Sequence, residues 1–361
     1  MEQRQSKLLG LEILRFACAL AVVIYHFRHF AKLPGAEWLT DDRFPLATLL
    51  GPVYYWGQVG VQCFWIISGF VFFWKYGETI SSRAITATRF FWLRFSRLYP
   101  LHIVTLCAVA AAQPVFAYLT GHYFVYDDNS PTQFVLNLFM ATQWGTMAPM
   151  SFNGPFWSVS AEVMVYAIFF LLVWLFRSSV ALCVAMVVGG ILICTFAALP
   201  VAICALMFFA GGLTAILFKQ FGRQWQAHAA AGCAFVVVAI LIWRANLNGT
   251  ELSPRLLPLI LGPQLLFLGA KDFAFLDRFA RPIEVAGNLT YSTYMCHFPM
   301  QLMLAIVVAA TGVLPPLQSP AFLLAYVSAV LVVGYFVFEQ FERPAQDAIR
   351  NWQRARTAQA A

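Results

Sequence analysis

Apolar residues run through this chain in long blocks, and the polar positions inside those blocks are few enough to name. Blocks at about 8–28, 54–74, 98–119, 156–176, 179–197, 200–218, 227–243, 254–270, 287–309 and 321–340 approach the ~20 residues that a helix needs to cross a bilayer. The pattern predicts ten transmembrane helices. Pro258 and Pro263 interrupt the segment 254–270, a pattern that membrane helices tolerate. No internal repeat or low-complexity stretch breaks the series.

Two connections are long enough to carry function. The stretch at about 75–97 holds five basic residues and a single acid, Glu78, whereas 120–155 has no Lys or Arg. Within the latter, Ser130-Pro131-Thr132-Gln133 is a capping-box start with proline at the first helical position. It predicts a short surface helix over Phe134–Met140, flanked by the aromatic faces of Tyr123, Tyr126 and Trp144.

Composition agrees with the pattern. The 361 residues are 61% hydrophobic and 11% charged, against roughly 25% charged in soluble domains. The expected class is an all-α membrane protein. Ala17-Cys18-Ala19 looks like a signal cleavage site, but Glu12 and Arg15 interrupt the apolar run before it, so the first helix is expected to be retained. Eight cysteines contain no Cys-x-x-Cys pair, which indicates neither a disulfide framework nor a metal site. The net charge of +7 speaks for orientation rather than nucleic acid. With the amino terminus inside, 17 of the 23 Lys and Arg fall on the cytoplasmic side and five outside, with Arg15 in the membrane. That bias predicts both termini in the cytoplasm, with a transmembrane domain over 1–345 and a short cytoplasmic tail over 346–361.

The polar residues within the blocks carry the chemistry. Arg15 and His26 are eleven residues apart, three turns plus about 20°, so they share a helix face about 16 Å apart along its axis. A guanidinium at that depth faces a bundle interior or wet cavity, and an imidazole exchanges protons near neutral pH. The plainer alternative is that Glu12 neutralises Arg15 and His26 faces headgroups. Arg94 and Arg97 share a face and can grip phosphate oxygens, or simply follow the positive-inside rule. Glu162, in Trp157-Ser-Val-Ser-Ala-Glu162, lies about 10 Å below the outer surface by helical rise. It could meet His26 across the bundle as an orienting carboxylate, or serve as a structural hydrogen bond. Ser68-Gly69 reads as packing, since no base for a nucleophilic serine is evident. His297 is either cavity-lining or a satisfied interior histidine. His26-x-x-His29 is a poor metal pair, with Arg28 beside it and no third ligand. His102, His122 and His228 carry no readable signal.

These segments, in this order, resemble the integral-membrane acyltransferase-3 family, whose members O-acylate surface and exported glycans. Leu14-Arg15 through Tyr25-His26 is similar to the family's arginine-ten-residues-histidine helix. Phe64–Phe70 is similar to its Ser-Gly-Phe segment, and Arg94-Phe-Ser-Arg97-Leu-Tyr-Pro100 to its paired-arginine motif. Trp157–Glu162, Tyr291–Pro299 and Glu342-Arg343-Pro344 resemble later signatures. The resemblance implies acyl-coenzyme A, most simply acetyl-coenzyme A, as cytoplasmic donor, with no metal, and a hydroxyl of an exported or surface glycan as acceptor. It implies His26 as base or acyl acceptor, Arg15 and Glu162 as its partners, and Arg94, Arg97 and Ser68 on the donor. His297 and Trp157 would line the cavity. The expected setting is the inner membrane, with the bilayer as the other partner, no nucleic acid, and self-association left open. A polytopic transporter or flippase of a glycan or lipid-linked sugar is the competing class, against which stands the absence of an inverted repeat.

Overall fold

The computed structural model describes residues 8–36, 38–145, 149–197, 199–247, 256–271 and 274–359. Arg4, Lys7 and Arg255, which entered the charge count, lie outside the described residues. Every regular element among the described residues is helical. Thirteen α-helices follow in order: α1 (Leu9–His26), α2 (Ala47–Trp56), α3 (Val59–Ser81), α4 (Ala87–Thr120), α5 (Pro131–Leu138), α6 (Trp157–Phe176), α7 (Val180–Phe196), α8 (Pro200–Phe221), α9 (Trp225–Leu247), α10 (Leu257–Gly269), α11 (Ala280–Thr311), α12 (Pro320–Val337) and α13 (Arg343–Gln359).

Among the described residues all ten apolar blocks are largely helical, but eight stretches are long and apolar enough to cross a membrane, while α7 and α10 are shorter. Helix α7 ends at Phe196, followed by extended Ala197, and α8 begins at Pro200 after an extended Leu199, as the residue before a proline favours; Pro263 sits inside α10. Helix α9 exposes Val236, Val237, Ile240, Leu241 and Trp243, and its apolar window has no buried residue. Such a surface suits hydrocarbon rather than water.

The basic connection expected over 75–97 is mostly helix. Helix α3 runs on to Ser81, and α4 starts at Ala87 because the Thr86 side chain accepts from the Arg89 backbone N–H at 3.2 Å. Arg94 and Arg97 therefore stand on the second and third turns of a helix, not at its edge. The expected cap forms in half: Ser130 Oγ accepts from Gln133 N–H, but the Ser130 N–H donates to Asp128 Oδ1 rather than to the Gln133 side chain. The resulting helix, however, starts at Pro131 and ends at Leu138, and Met140 turns left-handed at φ 57°.

The helices form two compact units. The first comprises Met1–Cys18, Val59–Ala84 and Val165–Asn288. Its centre is the close crossing of α3 and α8. A Cβ at Gly69 would overlap the Phe208 carbonyl oxygen, and one at Gly211 would overlap that of Ile66. Small residues here let two backbones touch, as in membrane helix pairs. This is the packing role read for Ser68-Gly69.

The second unit comprises Ala19–Gln58, Ile85–Met164 and Leu289–Ala361. Its core gathers Phe27, Phe30, Tyr54, Phe116, Phe124, Phe298 and Leu302. The segment expected as a tail is helix α13, tied to α4 by Arg350 Nε donating to Ser96 Oγ at 3.3 Å and by Trp352 edge-on to Trp92 at 5.2 Å.

Candidate active site

Helix α1 tightens after His26 into a 3₁₀ turn over Phe27–Lys32. Three residues per turn stacks positions i and i+3, so the rings of His26 and His29 lie 4.8 Å apart. On α11, His297 and Gln301 are four apart and share a face. The two pairs meet within the second unit. His297 Nε2 is 3.0 Å from His26 Nδ1, with the rings nearly parallel and centroids 4.9 Å apart. Gln301 Nε2 donates to the His26 carbonyl at 2.8 Å, and its Oε1 accepts from His29 Nδ1 at 2.9 Å. His297 Nδ1 donates to the Tyr294 carbonyl at 2.6 Å. His297 and Gln301 are fully buried, His29 is nearly so, and His26 is half-buried.

A proline shapes the wall behind this cluster. Pro299 lies inside α11 and has no N–H for the carbonyl of Met295, four residues back. Asn153 Nδ2 supplies that donor at 3.0 Å. Nearby, the Tyr294 hydroxyl donates to the Pro155 carbonyl at 2.6 Å and meets Ser158 Oγ at 2.8 Å. Trp157 opens α6 beside this contact. Glu162 follows on α6 about one turn later and is half-buried.

Tyr126 closes the other side, 5.9 Å edge-on from the His29 ring and 5.0 Å from Phe298. Burial, with smaller contributions from Tyr294 and Tyr25, pushes its phenol well above the ordinary tyrosine range. Its hydroxyl therefore stays protonated at any working pH. Gly154 is required beneath it, because a Cβ there would overlap the phenol ring. Beyond the 3₁₀ turn a cavity of about 520 Å³ is lined by Lys32, Thr120, His122, Tyr123 and Asp127, among others. Lys32 Nζ donates to the carbonyl of Val125 at 3.4 Å, a β-branched residue held at φ 66°, where β-branched residues are rarely found.

A second constellation in the same unit surrounds the paired arginines. Arg97 Nη1 donates to Glu342 Oε1 at 2.6 Å, with the carboxylate 1% exposed. Glu342 ends a π-helical turn, Phe338–Glu342, between α12 and α13. Such turns accompany functional sites often enough to be informative. The Arg97 guanidinium also stands 6.0 Å from the Tyr291 ring centroid.

Of the residues singled out from sequence, His26, Glu162, Arg94, Arg97, His297 and Trp157 belong to the second unit, and Arg15 and Ser68 to the first. His26 meets His297. Arg15 pairs with Glu12 at 2.9 Å, the plainer of its two readings. Sequence reasoning passed over Gln301 and Asn153, set His29 aside, and met Glu342 only within the Glu342-Arg343-Pro344 segment. The i,i+4 spacing of His297 and Gln301, and the carbonyl freed by Pro299, were the available signals. Among the described residues no group of three or more His, Cys, Asp or Glu is arranged to hold a metal ion.

Comparison with known proteins places the chain. It is 29% identical over 176 residues to acyltransferase MdmB of Streptomyces mycarofaciens, covering 47% of this chain and 40% of that relative. The chain thus aligns with less than half of this curated relative's length. No solved structure matches it. The model of the acyltransferase domain matches residues 8–339, nearly the whole chain, and it does so across every segment that carries the histidine cluster and the paired arginines. The chain belongs to the acyltransferase-3 family.

Proposed function

We propose that this protein is a membrane O-acyltransferase, moving an acyl group, by expectation acetyl, from cytoplasmic acyl-coenzyme A to a hydroxyl of an exported or surface glycan. The observation that carries the reading is His26: a half-buried imidazole whose Nδ1 is engaged by His297, in a chain of this family. A hydroxyl is a weak nucleophile at neutral pH, and a positioned imidazole accelerates its attack by removing the proton, typically 10²–10⁴-fold. Glu162 orients the acceptor or the histidine.

Arg94 and Arg97 take the donor's phosphates. Glu342 supports this reading by fixing one edge of the Arg97 fork, as a group behind a recognition arginine does. The cavity beside Lys32, with its aromatic, cationic and anionic edges, suits a polar, sugar-sized acceptor. In this arrangement ten helices span the inner membrane, both termini face the cytoplasm, and the histidine cluster lies toward the outer side.

Thioester consumption tests the proposal. Purified protein given acetyl-coenzyme A and candidate glycans should release free thiol and leave the glycan heavier by an acetyl group. Release that does not require His26, or transport of a glycan without thiol release, overturns it.

A further inference from the structure

We propose that His297 and Gln301 are positioning residues that hold His26 and His29 in the Nδ1–H form, so that each Nε2 is left as a proton acceptor. The inference deepens the reading of His26 as base and rests on it.

The hydrogen bonds permit one assignment for neutral rings. A carbonyl only accepts, so the contact of His297 Nδ1 with the Tyr294 carbonyl places a proton on Nδ1. A neutral imidazole carries one such proton, so His297 Nε2 is bare and accepts from His26 Nδ1–H. His26 Nε2 then holds a lone pair. The same logic runs through Gln301. Its Nε2 must face the His26 carbonyl, which fixes the amide, and its Oε1 must therefore accept from His29 Nδ1–H. His29 Nε2 is bare as well. Both anchors come from one face of one helix, and both are fully buried, so neither can turn to solvent for a substitute.

The chemistry needs this form. In the transfer step the acceptor O–H bond breaks and its proton passes to His26 Nε2. The hydroxyl oxygen bonds to the acyl carbon as the C–S bond of the thioester breaks. The sulfur leaves as thiolate and receives the proton that His26 gives up. Were His26 in the Nε2–H form, the proton-accepting position would already be filled. The imidazolium formed during the step keeps Nδ1–H directed to His297 Nε2, which stabilises its charge without a second proton transfer.

The test uses the full-length protein in nanodiscs with ¹⁵N-labelled imidazoles, assigning His26 by substitution. His26 should show the Nδ1–H form in the wild type; an Nε2–H spectrum there overturns the proposal by itself. His297→Leu removes the acceptor, and His26 should shift toward Nε2–H while kcat falls about 100-fold, within the range for general-base loss, with KM for the donor unchanged. His297→Gln offers Oε1 near the former Nε2 and should keep the Nδ1–H form, with kcat within about tenfold of wild type by the same measure. Equal loss in both variants, or an unchanged His26 tautomer in His297→Leu, overturns the positioning role. If the tautomer responds as expected but His26→Ala still turns over, the base reading fails and the hydrogen-bond assignment stands.

Discussion

Arg97 and Glu342 form an ion pair across 245 residues of sequence, at 2.6 Å, with the carboxylate almost wholly removed from solvent. The pair couples α4 to the π-helical turn at the end of α12, so the arginine expected to meet phosphate is also a structural member of the bundle. A guanidinium has five N–H donors, and the bond from Nη1 to Glu342 uses one of them. The two roles are separable by experiment.

Arg97→Ala should weaken acetyl-coenzyme A binding and also destabilise the protein, by about 3–5 kcal/mol if Glu342 behaves as other buried charges that lose their partner. Arg97→Lys should recover only part of the binding, because the planar fork is lost. Calorimetric titration reads the first effect and thermal unfolding in detergent the second. Unchanged donor affinity in both Arg94→Ala and Arg97→Ala would leave the arginines with packing and orientation alone.

His26→Ala should abolish glycan acylation while expression and donor binding stay near wild type, because the imidazole acts on the acceptor. Glu162→Gln should be damaging but incomplete, since it keeps shape and loses charge. Trapping an acylated enzyme without acceptor would separate a covalent acyl-histidine from direct transfer. Near-normal turnover in His26→Ala, measured in a reconstituted assay, would place the base elsewhere.

Much of this architecture is legible in the chain because a membrane protein writes its helices as uninterrupted apolar runs. Among the described residues all ten runs are largely helical, and the Ser130 cap forms where the motif puts it. The elements that apolar runs do not reveal are those whose periodicity is mixed. The start of α4 is basic and aromatic rather than apolar, and α13 is polar enough to read as a tail; tertiary contacts such as Trp92 with Trp352 hold them. His26 stood out as a polar position in an apolar run, and Arg97 by its spacing from Arg94. Their partners did not, because Gln301 and Glu342 acquire meaning only when distant helices meet, and spacing along one helix says nothing of that.

Gly154→Ala should be costly out of proportion to one methyl group. The added Cβ would overlap the Tyr126 ring, which packs against His29 and Phe298, so the ring must move off the histidine cluster. Overpacking of this kind costs about 1–3 kcal/mol. Thermal unfolding should report that loss, and turnover should fall as well. A Tyr126→Ala background, which clears the space, should make Gly154→Ala nearly neutral for stability; an undiminished penalty there would mean that Tyr126 is not what the methyl meets.

The orientation is testable by labelling. In a background without the eight native cysteines, a cysteine at Asp128 should react with an impermeant reagent applied outside intact cells. One at Ile85 should react only after the membrane is opened. The reverse pattern would invert the molecule and put the paired arginines on the wrong side for a cytoplasmic donor.

Asn153 and Pro299 should prove energetically coupled although neither is a charged or catalytic group. Pro299 withholds the N–H that the Met295 carbonyl would receive in an unbroken helix, and Asn153 Nδ2 fills that place. Asn153→Ala alone leaves a buried carbonyl unsatisfied, at a cost of about 1–3 kcal/mol. Pro299→Ala restores the backbone donor, so in the double variant the carbonyl is satisfied again and the loss should be smaller than the sum of the two single losses. The interaction should fall in the range of about 0.5–3 kcal/mol found for residues sharing one network. Chemical or thermal unfolding of the four proteins in one detergent measures it. Strict additivity would show that the Asn153 amide does not replace the missing N–H, and the wall behind His297 would then owe its shape to packing rather than to this hydrogen bond.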